Sequence, residues 1–469
     1  LGIHPHWFDW KLAPDQSFQT PEAVMVYSDK GLNHMSQTFH RLYQMRLARG
    51  YWKDKARPIL INNWEATYFD FTEERLVNIA TKAMACGVEL FVLDDGWFGG
   101  RRHEKAGLGD WIANPELLPD GITGLAQKIE DIGMKFGLWF EPEMVNKDSD
   151  LYRKHPDWIL KTPERSASHG RFQYVLDFSR KEVVDCIYEM MAKILGEAKV
   201  SYVKWDMNRS ITECYSAALP ADRQGEVFHR YILGVYDLYE RLTSRFPQVL
   251  FESCASGGAR FDPGLLYYAP QGWTSDDSDA VERLKIQYGT SYCYPVSCMG
   301  SHVSVTPNHQ VYRNTPLHTR ANVAYFGTFG YELDLNKLTE EEQEEVKAQI
   351  SFMKQYRGLF QFGTFYRLKS PFDGDGTTSW MVVSEDKKEA IVGVYKVLNG
   401  ANMPFTRISL KGLDPGICYE LSSDRRGHYG DELMNAGLIT TDSSVGEMAM
   451  GNIPTCDFDS RLFILKAIN

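Results

Sequence analysis

Several short apolar runs in this 469-residue chain end in clusters of acids, amides and tryptophans. The clusters are Asn62-Asn63-Trp64-Glu65, Asp94-Asp95-Gly96-Trp97, Trp139-Phe140-Glu141-Pro142-Glu143 and Lys204-Trp205-Asp206-Met207-Asn208-Arg209. Two more are the stretch from Glu252 through Cys254 and Gly257 to Arg260, and the stretch from Trp273 through Asp276 to Asp279. One acid after an apolar run is often a helix cap. Acids and indoles after most of the runs need another explanation. Converging carboxylates make either a cage for a hard cation or an acid/base pair. The indoles favour a sugar, whose apolar ring face packs on an aromatic wall. Cleaving a glycosidic bond then needs two carboxyl groups flanking it.

Two acids stand out. Residues two apart on a strand point the same way, so Lys204 and Asp206 are expected to face one site. An ammonium beside Asp206 would keep it ionised, as a nucleophile requires; the plain alternative is an ordinary ion pair. Asp276 is crowded in sequence by Asp277 and Asp279. Crowding raises a carboxyl pKa, which suits a general acid. Asp277 and Asp279 themselves read as caps of the helix that follows.

Such residues need a scaffold that brings strand ends together. Apolar runs at 58–61, 89–93, 135–139, 173–176, 200–203, 249–251, 272–274 and 295–298 read as eight parallel strands covered by helices. Helical spacing lies between them. Leu76, Ile79, Ala80 and Ala83 share a face after Thr72, a residue suited to capping. Val227, Tyr231, Val235, Tyr239 and Leu242 form another stripe. Thr339 and Glu342 have capping-box spacing ahead of Val346, Ile350 and Met353. Eight such units predict a (β/α)8 TIM barrel at 36–361, with Asp206 and Asp276 ending its fifth and seventh strands over a central pit. A doubly wound open sheet is the alternative. From about 362 the texture changes to short strands and turns, which predicts a small antiparallel β-sandwich at 362–469.

The bulk composition narrows the partners. The net charge of −11 disfavours nucleic acid and anionic membranes and fits a neutral substrate. Aromatic residues reach 13%, which suits either a large core or sugar binding. The 8 Cys are widely spaced without a C-x-x-C pair, so reduced thiols in a cytoplasmic protein are expected rather than a zinc knuckle. No apolar run has transmembrane length and no signal peptide is visible. The chain begins at Leu1 rather than Met, which leaves an upstream segment open.

With these motifs assembled, residues 30–360 resemble the catalytic domain of glycoside hydrolase family 36, in its bacterial α-galactosidase branch. The motifs that carry the likeness are Asn62–Glu65, Leu93–Gly99, Leu108–Trp111, Gly137–Met144, Tyr202–Arg209, Cys254-x-x-Gly257-x-x-Arg260 and Trp273–Asp277. The resemblance implies that Asp206 is the nucleophile and Asp276 the acid/base of a retaining hydrolase. It implies that Asp94 and Asp95 bind the O4 and O6 side of galactose, with Trp64 and Trp139 as walls. Arg171, Lys204, Asn208, Cys254 and Gly257 would complete the pocket; the plain alternative for Cys254 is a buried apolar thiol. No metal or cofactor is expected. The implied substrates are terminal α-galactosides such as melibiose and raffinose. A galactosyl transferase of the raffinose-synthase type and a silent sugar-binding protein are the rival expectations. Family members usually carry an N-terminal β-sandwich, so residues 1–35 are expected to be its remnant or a linker, loosely packed and with apolar surface exposed. Tetramers are common in the family, and a homo-oligomer is an expectation weakened by that missing part.

Overall fold

Eight parallel strands close on themselves in the computed structural model, which describes residues 2–399, 406–423, 425–440 and 457–468. In chain order they are Leu60–Asn62, Leu90–Leu93, Lys135–Phe140, Val200–Trp205, Leu250–Ser253, Gln271–Trp273, Met299–Ser304 and Thr328–Glu332. Each pairs in parallel with its neighbours, and the last pairs with the first through Leu60↔Gly330 and Ile61↔Tyr331. The (β/α)8 barrel expected from the sequence is therefore the fold.

Two of the eight expected strands differ. The run at 173–176 is outside the barrel: Gln173–Val175 pairs antiparallel with Met144–Asn146, beyond the end of the third strand. The third strand pairs instead with Val200–Trp205. Thus Asp206 follows the fourth barrel strand and Asp276 the sixth, not the fifth and seventh. The run at 295–298 gives a single 3-10 turn, Val296–Cys298, and the strand starts at Met299. The eighth strand, Thr328–Glu332, was not anticipated. Its apolar pattern is broken by Gly330, where a Cβ would stand 2.8 Å from His302 and 3.0 Å from Leu60. The crowded barrel interior requires glycine there, and that same glycine hides the strand.

The helices follow their sequence signals. Thr72 caps Glu73–Cys86 by accepting from the Arg75 N–H, and the Leu76, Ile79, Ala80 and Ala83 stripe is buried. Val227–Arg245 buries its own stripe. Helix Glu340–Phe362 opens with the full capping box of Thr339 and Glu342. Leu60, Leu90, Val92, Tyr202 and Leu250 fill the barrel floor, with Trp52 packed against them from below.

After Phe362, strands Thr364–Lys369, Thr377–Val383, Glu389–Lys396, Asp459–Ala467, Cys418–Leu421 and Gly427–Tyr429 lie in that spatial order in one antiparallel sheet. A two-stranded piece, Arg407–Ile408 with Leu438–Ile439, covers one face through Ile408 and Leu438. The other face, including Phe365, Trp380 and Ile391, merges with the barrel's core. Residues 2–30 form neither helix nor strand, and Trp7, Met25 and Tyr27 are exposed there. Trp10 and Phe18 do pack, around His229. Among the described residues no helix is long and apolar enough to cross a membrane. Seven of the cysteines are free; Cys456 lies outside the described residues.

Candidate active site

The C-terminal ends of the barrel strands surround a cavity of about 150 Å³, lined by Trp64, Trp139 and Trp273 and by a ring of charged groups. Asp206, just past the fourth strand, is buried and acts as a fourfold anchor. Its backbone N–H donates to Phe140 O at 2.8 Å, which extends the pairing with the third strand. Its Oδ1 accepts from the Met207 N–H at 2.8 Å. Its Oδ2 accepts from Asn208 Nδ2 at 2.7 Å and Trp139 Nε1 at 3.3 Å. Among the described residues, every hydrogen bond to this carboxyl comes from an N–H group.

The Lys204 ammonium is not the partner of Asp206 that the sequence led us to expect. It pairs with Asp94 Oδ2 at 2.8 Å, both groups being buried. Burial would lower the Lys204 pKa, but Asp94 first, then Glu332, Cys254 and Asp206, hold it well above the ordinary value. Burial raises Asp94, opposed by Lys204 and by hydrogen bonds from Lys204, Asn62 and the Asp95 N–H. Asp95 is gripped by the fully enclosed Arg101, at 2.8 Å to Oδ2 and 3.0 Å to Oδ1. The two neighbouring carboxylates thus each have their own cation.

Asp276, after the sixth strand, faces the cavity and stays open to solvent. Its pKa is raised to about 6, by desolvation against the surrounding protein first and by Asp206 second. Asp277 and Asp279, the crowding neighbours in sequence, are not the cause. Asp279 caps helix Ala280–Thr290 by accepting from the Val281 and Glu282 N–H groups, as expected. Asp277 instead accepts from the Asp279 N–H, one step before the helix.

The remaining expected residues divide. Trp64, Trp139 and Asn208 line the cavity. Arg171 also reaches it, but from the exposed rim, 3.6 Å from Glu104. Cys254 and Gly257 back the wall instead of lining it. The Cys254 thiol is buried, and burial, then Asp206, push its pKa well up. Gly257 has φ +82°, and a Cβ there would lie 2.6 Å from the Asp276 nitrogen. It lets two loop backbones touch.

The structure adds groups that sequence reasoning passed over. Glu332 lines the cavity from the end of the eighth strand, hidden with that strand. Glu65, the last residue of the Asn62–Glu65 motif, accepts from Ser278 Oγ at 2.5 Å and from the Val305 N–H at 3.1 Å, tying three loops together. Glu141 accepts from the Asn208 N–H at 2.5 Å and from Gln173 at 2.9 Å. Its pKa is raised to about 8, by burial and then by Asp206. Among the described residues no group of three or more His, Cys, Asp or Glu is placed to hold a metal.

Residues 17–363 match the family described as Melibiase, and residues 377–465 match the glycosyl hydrolase family 36 C-terminal domain. The whole chain is 56% identical to alpha-galactosidase AgaA of Geobacillus stearothermophilus and 49% identical to alpha-galactosidase Mel36A of Lactobacillus acidophilus. It spans 62% of the length of each of these relatives. The crystal structure of AgaA superposes with a TM-score of 0.96, covering 100% of this chain and 63% of that one. A variant of AgaA has been crystallised in complex with raffinose, and at 55% identity it too superposes with a TM-score of 0.96, again covering 100% of this chain and 63% of its own.

Proposed function

The chain belongs to glycoside hydrolase family 36, the melibiase family, and from that premise we propose that it is a retaining α-galactosidase acting on terminal non-reducing α-D-galactose, as in melibiose and raffinose. One observation carries the reading: Asp206, surrounded by N–H donors, shares a tryptophan-walled cavity with Asp276, whose pKa of about 6 suits an acid. In the first step Asp206 attacks the anomeric carbon while Asp276 gives its proton to the leaving oxygen. In the second, Asp276 takes a proton from water, and that water displaces Asp206 from the β-galactosyl ester. Galactose leaves with its α configuration retained. Asp94, Asp95 and Lys204 take the hydroxyls of the sugar. Trp64 and Trp139 take its ring face. Arg171 and Asn208 bound the pocket, with Cys254 and Gly257 behind it.

Residues 36–361 act as the catalytic unit and 362–469 as its supporting β-domain, with 1–35 as a linker or remnant. The break between helix end Phe362 and strand start Thr364 supports this division. Free thiols suit a reducing, cytoplasmic setting. The reading requires the two carboxyl groups to work about 5–5.5 Å apart in the complex, too close for an intervening water.

Proton NMR of the first product from an aryl α-galactoside tests the mechanism. It should be α-galactose, and β-galactose would sink the retaining route. Asp206→Ala should abolish turnover, with azide restoring some as the β-galactosyl azide. Asp276→Ala with azide should yield the α-azide from substrates with good leaving groups.

A further inference from the structure

No hydrogen bond reaches the Asp276 carboxyl among the described residues, so the backbone on either side must aim it. That backbone is held by an unusual group. Arg283 is 2% exposed. Its Nε donates to Asp277 O at 2.8 Å and its Nη2 to Ser275 O at 2.8 Å, the two carbonyls that flank Asp276. Its Nη1 donates to Gly300 O on the seventh strand at 2.9 Å and to Thr274 Oγ1. The guanidinium also lies 4.3 Å from the ring centroid of Trp273, a cavity wall.

This placement is costly. Arg283 sits in the first turns of helix Ala280–Thr290, where the helix dipole disfavours a cation. It forms no direct ion pair among the described residues, and all its hydrogen bonds go to neutral oxygens. Burial lowers its pKa to about 10, with Glu332, Asp277, Asp276 and Glu65 opposing, so it remains charged at neutral pH. A cation needed only for stability would be better placed against a carboxylate. The planar fork reaches carbonyls that a lysine could not span together. The Gly257–Gly258 turn packs against the same segment: a Cβ on Gly257 would lie 2.6 Å from Ser275 Cα, and one on Gly258 would lie 2.3 Å from Thr274 O.

We propose that Arg283 is a positioning residue for acid catalysis, holding the Ser275–Asp277 backbone against the Gly257 turn so that Asp276 meets the glycosidic oxygen. The inference rests on the galactosidase reading. A residue that aims the acid matters in proportion to how much the leaving group needs a proton, whereas one that merely supports the fold affects all substrates alike.

The test compares kcat/KM for phenyl and 2,4-dinitrophenyl α-galactosides in the wild type, Arg283→Lys, Gly257→Ala and the reference Asp276→Ala, with thermal melts confirming folded protein. Arg283→Lys should lose about 10²-fold on the phenyl substrate and less than about fivefold on the dinitrophenyl one. Gly257→Ala, which disturbs the same segment, should show the same asymmetry and decides the matter if Arg283→Lys does not fold. Equal losses on the two substrates, or no loss on either, overturn the proposal. A wild type inert toward both substrates overturns the galactosidase reading itself, an outcome distinct from an active wild type whose variants show no asymmetry.

Discussion

Asp276 and Asp206 show how environment sets two identical carboxyls apart. Asp206 accepts from three N–H donors, whereas Asp276 accepts from none among the described residues and is raised to about 6, by desolvation first and by Asp206 second. An acid must be protonated to act, so kcat/KM for a phenyl α-galactoside should fall as pH rises through about 6. A dinitrophenyl substrate needs no proton on its leaving group, and that basic limb should be absent. A limb of equal depth for both substrates would count against Asp276 as the acid. Stability follows the same sign. The folded pKa lies above the ordinary 3.8, so the contribution of Asp276 is present below about pH 3.8 and lost as pH rises through about 6. Asp276→Asn, which stays neutral, should therefore gain Tm relative to the wild type at pH 8 but not at pH 4. The gain should be modest, because water reaching this exposed group screens part of the effect. Lys204 shows where sequence reasoning falls short at this scale: alternation put it on the same face as Asp206, but the second strand, two places round the barrel, supplied Asp94 as the nearer carboxylate.

Among the elements, the loops after the third and fifth strands and the end of the fourth strand are tied by one buried carboxylate. Glu143 accepts from Trp205 Nε1 at 2.9 Å, from both Arg260 nitrogens at 2.8 and 2.9 Å, and from Tyr231 Oη on helix Val227–Arg245 at 2.5 Å. Trp205 directly precedes Asp206, so this network fixes the entry to the proposed nucleophile. Glu143→Ala would leave Arg260 largely buried without its counter-charge, at a cost of about 3–5 kcal/mol. Urea denaturation measures it, and a loss below about 1 kcal/mol would show that the loop relaxes around the gap. The helices were legible because a 3.6-residue stripe and a cap are local signals. The eighth strand was not, nor was the numbering of the strands after the third. The run at 173–176 has a strand's composition but pairs with Met144–Asn146, a choice made by partners distant in sequence.

At the scale of the molecule, the antiparallel sheet is joined to the barrel. Trp380 belongs to the barrel's core cluster and donates to Tyr395 Oη at 3.0 Å. Tyr395 in turn donates to Asn322 O at 2.8 Å, and Asn33 and Arg367 bond in both directions across the same boundary. Such an interface predicts a single calorimetric transition for the chain. Trp380→Ala should lower stability by about 3–5 kcal/mol through the cavity it leaves, without splitting the transition. Two resolved transitions in the wild type would show the sheet to be an independent unit. Along residues 2–30, Trp7 is 67%, Met25 80% and Tyr27 88% exposed, while Trp10 and Phe18 pack on His229 and residues 31–35 enter helix Gly31–Leu42.

The sequence by itself determined the barrel, the mainly β texture after it and the acids at the strand ends, because periodicity, caps and motif order are written in neighbouring residues. Tertiary structure alone decided which cation meets which carboxylate, which strand stands fourth, that Glu332 enters the site, and that burial and Asp206 set the pKa of Asp276. Each of those depends on groups brought together from distant parts of the chain, at distances and in a dielectric that only the closed barrel defines.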